Sequence, residues 1–266
     1  MTRLTSARDA RLDVYRLVRD PAALARAGLF VAEGRFVVQR LLANGRYRVH
    51  SLLLTPPALA AFEADRAVAA HLGALRDRLY VVDQDAMDEA VGFNFHRGCL
   101  ALAERPDPRG LADLRDTVPR RVLVLEGVNN PDNVGGLFRS AAAFGVDAVV
   151  LGPACGDPLY RKAIRTSMAA TLQVPAVVAE GWPSTLELLR GAGLRVLALT
   201  PHPDAVPLES LPREFGRLAL VVGTEGSGLT AAALDACDER VRIRTTAAVD
   251  SLNVTVAASI ALAYFF

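Results

Sequence analysis

Three stretches in the second half of the chain collect amides, acids and glycines beyond what packing requires. The first reads Glu126-Gly-Val-Asn129-Asn130-Pro-Asp132-Asn133-Val-Gly135-Gly136 and leads into a helical segment carrying Arg139. One Asn or Asp would serve as a helix cap, because a short side-chain oxygen accepts from free first-turn N–H groups. Four such residues with two glycines exceed that need. Glycine is unfavourable in a helix unless another group must come close, and a helix N-terminus attracts anions. The second stretch, Val222-Gly223-Thr-Glu225-Gly226-Ser-Gly228-Leu229, sets three glycines around a carboxylate, a composition suited to backbone wrapped round a small ligand. The third runs Arg244-Thr-Thr-Ala-Ala-Val-Asp250-Ser251-Leu252-Asn253. Ser251 is placed to N-cap the last helix, while Asn253, expected just inside it, has poor helix propensity. His50, His71, His96 and His202 lie outside all three stretches. Gly226-Ser-Gly228-Leu-Thr-Ala231 also fits G-x-G-x-x-A. That fingerprint needs a full crossover helix and an acid about 20 residues on; here a strand begins by Val241 and Arg244 follows it, which sets the nicotinamide reading aside.

Something must hold these stretches together. Apolar runs of β type occur at Val122–Leu125, Ala148–Leu151, Val174–Val178, Arg195–Leu199, Leu218–Val222 and Val241–Ile243. Between them lie helical patterns at Val134–Phe144, Pro158–Met168, Pro183–Arg190 and Leu229–Ala236, with Leu252–Phe266 at the end. The alternation predicts an α/β fold with a mostly parallel sheet covered on both faces. Such sheets bind ligands at the carboxyl ends of their strands, so the loops after Leu125, Leu199, Val222 and Ile243 are the ones to watch. The first hundred residues predict a small α/β unit, with helices at Leu12–Val18 and Gly34–Leu42 and strands at Ser51–Leu54, Leu79–Val82 and Gly98–Ala103. Glu104–Arg121, with its prolines and scattered charge, reads as a linker. The expected domains are 1–104 and 120–266, joined by 105–119.

Of the 266 residues, 52% are hydrophobic and 22% charged, which excludes a disordered chain. The net charge of +1 gives no bulk attraction to nucleic acid, yet residues 1–50 carry ten Arg against four acids. Arg8, Arg11, Arg16 and Arg19 are therefore candidate phosphate contacts, since the guanidinium fork can hold two oxygens. Three cysteines without a C-x-x-C argue against a disulfide framework and a zinc site. No secretory signal is visible, and the apolar run Val254–Phe266 is too short to span a bilayer. Its small residues (Ala257, Ala258, Ser259, Ala261) suit close packing between helices or subunits. The expectation is a cytoplasmic protein with no membrane partner and no metal.

The three stretches together resemble the SpoU (TrmH-like) branch of the SPOUT RNA methyltransferases. Asn129-Asn-Pro-Asp-Asn133-Val-Gly-Gly-Leu-Phe-Arg139-Ser-Ala-Ala-Ala-Phe-Gly145 is similar to the family's first motif. Val222–Gly228 is similar to the second and Asp250-Ser-Leu-Asn-Val-Thr-Val-Ala-Ala258 to the third. Arg161-Lys-Ala-Ile-Arg-Thr-Ser-Met168 resembles a stretch found between the first two. Gly28-Leu-Phe-Val-Ala-Glu-Gly34 and His96-Arg-Gly98 look like the family's L30e-like substrate-binding domain. One departure stands out: Arg244-Thr245 occupies the place where the family usually has Pro-Met.

The resemblance implies a deep trefoil knot in the C-terminal half (the SPOUT fold), preceded by a small L30e-like domain. It implies a homodimer that binds S-adenosylmethionine and methylates a ribose 2′-hydroxyl of structured RNA, either rRNA or tRNA, with rRNA preferred. It also implies cofactor contacts from Thr200, Gly223, Ile243 and Leu252, and catalytic or site-organising roles for Asn133, Arg139, Glu225, Ser251 and Asn253. Two other readings keep the fold: a catalytically silent RNA-binding or ribosome-assembly factor, and an enzyme that methylates a base.

Overall fold

The computed structural model describes residues 1–113, 119–246 and 248–266. In chain order the strands are β1 (Thr2–Arg3), β2 (Leu29–Glu33), β3 (Val49–Leu54), β4 (Leu79–Val81), β5 (Cys99–Glu104), β6 (Arg121–Glu126), β7 (Ala148–Leu151), β8 (Ala176–Val178), β9 (Arg195–Leu199), β10 (Val206–Pro207), β11 (Leu218–Gly223) and β12 (Glu239–Arg242). The α-helices are α1 (Pro21–Arg26), α2 (Arg35–Asn44), α3 (Pro56–Ala64), α4 (Arg66–Ala74), α5 (Gln84–Val91), α6 (Pro131–Ala143), α7 (Arg161–Thr166), α8 (Ser184–Gly191), α9 (Ala231–Ala236) and α10 (Val254–Phe265). Among the described residues no helix is long and apolar enough to cross a membrane. Part of the expected linker, 114–118, and Ala247 of the third stretch lie outside the described residues.

The chain divides into two compact units, Met1–Asp107 with Leu159–Leu172, and Pro108–Pro158 with Gln173–Phe266. The sequence places Leu159–Leu172 with the later domain. Packing assigns it to the first unit: Ile164, Ala169 and Leu172 are buried in one core with Phe30, Leu41, Leu52 and Phe62.

The first unit is built on a mixed sheet in the order β1-β4-β3-β5-β2. Its strands alternate as a two-faced sheet must. Phe30 and Ala32 of β2 enter one core, and Leu29 and Val31 the other. Tyr15 is fully buried in the second core and donates to Ser51 Oγ at 2.8 Å. The expected helix Leu12–Val18 is a 3-10 helix, Ala10–Arg19.

The second unit carries seven strands in the order β10-β12-β9-β11-β6-β7-β8, and every pairing is parallel. Val122, Val124, Val196, Ala219 and Val221 pack under α8 and α9. On the other face α10 lies against α6 and β11. The helix expected from Val134 begins three residues earlier, because Asn130 caps it (Oδ1 accepts from Asp132 N at 2.9 Å) and Pro131 fills the first position, where proline loses no hydrogen bond. Gly135 and Gly136 are thus inside α6. The segment expected as a helix over Pro158–Met168 is helical only through α7, since Met168 and Ala169 take left-handed backbone (φ +52° and +66°).

Candidate active site

The carboxyl ends of β9, β11 and β12 converge on the start of α10 and enclose a cleft of about 440 Å³, within the usual size range of small-molecule sites. Thr200, Gly223, Ile243 and Leu252 line it, and so do Glu225, Ser251 and Asn253. A wider depression at the amino ends of β9 and β11 is lined by Arg190 and Arg195. Asp238 and Glu239 already pair with those guanidiniums, and none of the glycine-rich loops reaches it.

The cleft wall depends on Gly223. A Cβ there would lie 2.3 Å from the carbonyl carbon of Gly228 and 2.5 Å from the amide nitrogen of Leu229, closer than any backbone can accept. The loop therefore folds back on its own strand, with Gly228 N donating to Thr224 O at 3.1 Å. Gly226 and Gly228 make the reversal with φ of +91° and +70°, a region that L side chains avoid. Glu225 sits at the tip.

Asn253 joins this loop to α6 and α10. It is the N-cap of α10, its Oδ1 accepting from Thr255 N at 2.9 Å and Val256 N at 3.3 Å. Its Nδ2 donates to Asn133 Oδ1 at 3.1 Å and also to Glu225 Oε1. The sequence expects Ser251 as the cap and Asn253 inside the helix. The structure reverses this, because an amide can accept from the helix while donating to the two acceptors opposite, and a serine hydroxyl at 251 would not bridge them. Helix α10 can approach because α6 carries a glycine at the crossing: a Cβ on Gly136 would stand 2.7 Å from Thr255 Cγ2. One turn on, the hydroxyls of Ser140 and Ser259 meet at 2.7 Å.

Residues 120–263 match the model of the SpoU rRNA Methylase family. An uncharacterized tRNA/rRNA methyltransferase of Mycobacterium tuberculosis (strain ATCC 25618 / H37Rv) is 43% identical over 95% of this chain and 87% of its own. The chain belongs to the SpoU rRNA methylase family. The 23S rRNA (guanosine(2553)-2'-O)-methyltransferase RlmP of Bacillus subtilis is 26% identical over 98% of this chain and 97% of its own length. In fold, the SpoU chain is similar to the AdoMet-bound rRNA methyltransferase from Sinorhizobium meliloti, with a TM-score of 0.81 at 22% identity, covering 98% of this chain and 95% of that one.

Not every expected residue of this SpoU chain meets the others. Asn133, which is buried, Glu225 and Asn253 are joined by hydrogen bonds. Ser251 lines the cleft and is exposed. Arg139 is exposed on α6, does not line the cleft, and its guanidinium makes no hydrogen bond or ion pair among the described residues. Where the family usually has Pro-Met, Thr245 lines the cleft and Arg244 is held by Glu209 (Nε to Oε1 2.7 Å).

In the first unit, Arg11 is hydrogen-bonded to Asp9 (2.7 Å), and that contact holds the Asp9 carboxyl down at about 2. Arg16 stands 3.5 Å from Asp13 and Arg8 3.8 Å from Glu89, so the local positive excess is partly matched. Arg19 packs beside Gly92.

Sequence reasoning passed over Glu126. It ends β6 almost fully buried and accepts three hydrogen bonds, from Trp182 Nε1 (2.6 Å), Thr230 N (2.9 Å) and Thr230 Oγ1 (2.7 Å). Thr230 in turn caps α9 through Ala233 N. The carboxylate thereby fixes the far end of the loop that carries Glu225. The available signal was an acid closing an otherwise apolar strand.

Proposed function

We infer that the chain transfers a methyl group from S-adenosylmethionine to a ribose 2′-hydroxyl of structured RNA, rRNA in preference to tRNA, and works as a cytoplasmic homodimer. The observation that carries this is the cleft at the carboxyl ends of β9, β11 and β12, with Asn253 tying its glycine loop to Asn133. Two curated relatives named as methyltransferases of tRNA or rRNA, one of them a 2'-O enzyme, support it. The cleft suits the donor chemically: Leu199, Ile243 and Leu252 offer apolar surface, while Thr200, the Gly223 backbone and Asn253 offer polar groups. Bound there, the donor supplies a methyl already activated by its sulfonium charge.

Thr200, Gly223, Ile243 and Leu252 hold that donor. Asn133, Glu225 and Asn253 keep the wall in place, and Ser251 faces the cleft beside them. Alignment of this kind is worth roughly 7–11 kcal/mol in favourable cases. Arg139 lies outside the cleft, so its role is toward RNA: it grips the phosphate beside the target ribose and stabilises the 2′-oxygen as the hydroxyl proton passes to water. A guanidinium stays protonated in proteins, which argues against its serving as the base. Arg8, Arg16 and Arg19, which line one shallow depression with Asp13 and Glu89, and Arg11, on the 3-10 helix that carries Arg16 and Arg19, are further phosphate contacts in this reading.

A deep trefoil knot in 120–266 and an L30e-like fold in 1–104 belong to the same reading. The return of α10 from β12 across the sheet to α6 and β11 is in keeping with the first, and the mixed five-stranded sheet with the second. Val256 and Ile260, exposed one turn apart on α10, are the proposed subunit contact.

The test is Arg139→Ala. Donor affinity by calorimetry stays at the wild-type level, while methyl incorporation into RNA is lost and the wild-type product yields nuclease-resistant dinucleotides. Modified bases without such dinucleotides would mean base methylation, and a wild-type protein that binds no donor would overturn the enzyme reading.

A further inference from the structure

Glu33 closes β2 with only 3% of its side chain exposed, yet three guanidiniums surround it. Arg165 Nη1 stands 3.2 Å from Oε1, Arg161 Nε 3.3 Å from Oε2, and Arg97 Nε 3.8 Å from Oε1. One cation would balance one buried carboxylate, and pairing is what makes such burial tolerable. Three leave a surplus of two positive charges, on side chains 29% to 50% exposed. The backbone maintains the cluster. Gly34 has φ +86°, and a Cβ there would come within 3.2 Å of Arg97 Nη1. Arg161 is steadied from another side by the Phe93 ring, 4.8 Å away.

A second observation adjoins the first. Directly after α7 the chain takes left-handed backbone at two successive residues with side chains, Met168 and Ala169, a costly conformation away from glycine. Ala169 is buried and Met168 is 38% exposed. Arg40 Nη1 donates to Met168 O at 2.8 Å, and its guanidinium lies 4.2 Å over the exposed ring of Phe36. An arginine-backed aromatic ring thus stands at the start of α2, three residues along the chain from Glu33.

We propose that Arg97, Arg161 and Arg165, oriented by Glu33, form a phosphate-binding site for RNA, and that Phe36, three residues after Glu33 at the start of α2, receives an unstacked base. This rests on the RNA reading above and gives it a substrate contact in the first unit. Glu33 is a positioning residue: it gathers three guanidiniums at one carboxylate, and each fork is of the kind that recognises phosphate oxygens in pairs. Single-stranded RNA is commonly held by this pairing of cationic groove and aromatic platform.

The experiment is fluorescence anisotropy of a labelled stem–loop RNA against full-length protein, titrated from about 50 to about 200 mM salt. Each lost phosphate contact removes roughly 0.7–0.9 from the slope of log K against log salt. Arg161→Gln with Arg165→Gln, made in an E33Q background so that no buried charge is stranded, is expected to flatten the slope by about 1.5. RNA affinity falls at least about ten-fold, while S-adenosylmethionine affinity by calorimetry is unchanged. Phe36→Ala weakens binding with the slope intact, and Arg66→Gln on α4 changes neither. E33Q alone adds a net positive charge yet binds RNA more weakly; tighter binding would overturn the positioning role. An unchanged slope in the triple variant, with wild type binding RNA, would overturn the site. A wild type that binds no RNA would overturn the RNA reading together with it.

Discussion

Asn253 Nδ2 lies 3.1 Å from Asn133 Oδ1, and the same side chain caps α10 through its oxygen. Asn253→Asp separates these duties. Aspartate caps a helix as well as asparagine, but it cannot donate to Asn133 and it sets a carboxylate against Glu225. Each acid then raises the pKa of the other in the folded state. A folded pKa above the unfolded one gives stability that is present below the ordinary carboxylate pKa and lost as pH rises through the folded value. The variant should match wild type near pH 4 and melt progressively lower toward pH 7, with donor affinity at pH 7 reduced at least about ten-fold. Thermal melts and calorimetry at the two pH values check both.

The crossing of α6 and α10 predicts an inversion of the usual glycine rule. Replacing an exposed helical glycine by alanine stabilises by up to about 1 kcal/mol. At Gly136 the new methyl would meet Thr255 Cγ2 at 2.7 Å, so Gly136→Ala should instead cost about 1–3 kcal/mol. Adding Thr255→Ala should restore most of the loss. A denaturant-unfolding double-mutant cycle that returns simple additivity would refute the contact.

Glu126 accepts from three donors out of water. In Glu126→Gln, one face of the amide turns N–H toward N–H or O–H, leaving at least one buried donor unmatched. The expected destabilisation is about 1–3 kcal/mol. Trp182 is the only tryptophan in the chain, so its emission reports the change directly, and donor affinity should fall with the loosened loop.

Burial pushes the thiols of Cys99 and Cys237 up to about 12 and raises that of Cys155. At pH 8 the native protein should therefore alkylate far more slowly than the unfolded chain, because the thiolate is the reacting form. Above the ordinary thiol pKa the unfolded chain sheds protons that the folded one keeps, so stability should decline between about pH 9 and 12. Mass spectrometry of alkylated protein and urea melts across that range read the two effects. Rapid native labelling at pH 8 would contradict the burial.

The central strands of the second sheet were legible because they are continuous apolar runs: Leu218–Val222 becomes β11 with one residue added. The glycine loop was legible as well, since Gly223, Gly226 and Gly228 each answer to a backbone demand. Helix starts were harder. Ser251 and Asn253 are both good caps in isolation, and the choice is made by Asn133 and Glu225, partners 120 and 28 residues away. Likewise the pattern in Arg161–Thr166 announces a helix without saying which core receives Ile164. The place of Glu126 at the end of β6 could be read, but not its partners Trp182 and Thr230, which lie 56 and 104 residues further on.

Because Asn253 is the piece that latches Glu225 to Asn133, the cleft is completed only when the segment after β12 has been made. A nascent chain halted before that asparagine emerges would already own β6, β9, β11 and β12, yet would have one wall missing. The last wall of the cleft is therefore also the last part of it to be made, and a chain ending before Asn253 would present β9, β11 and β12 with the glycine loop unlatched.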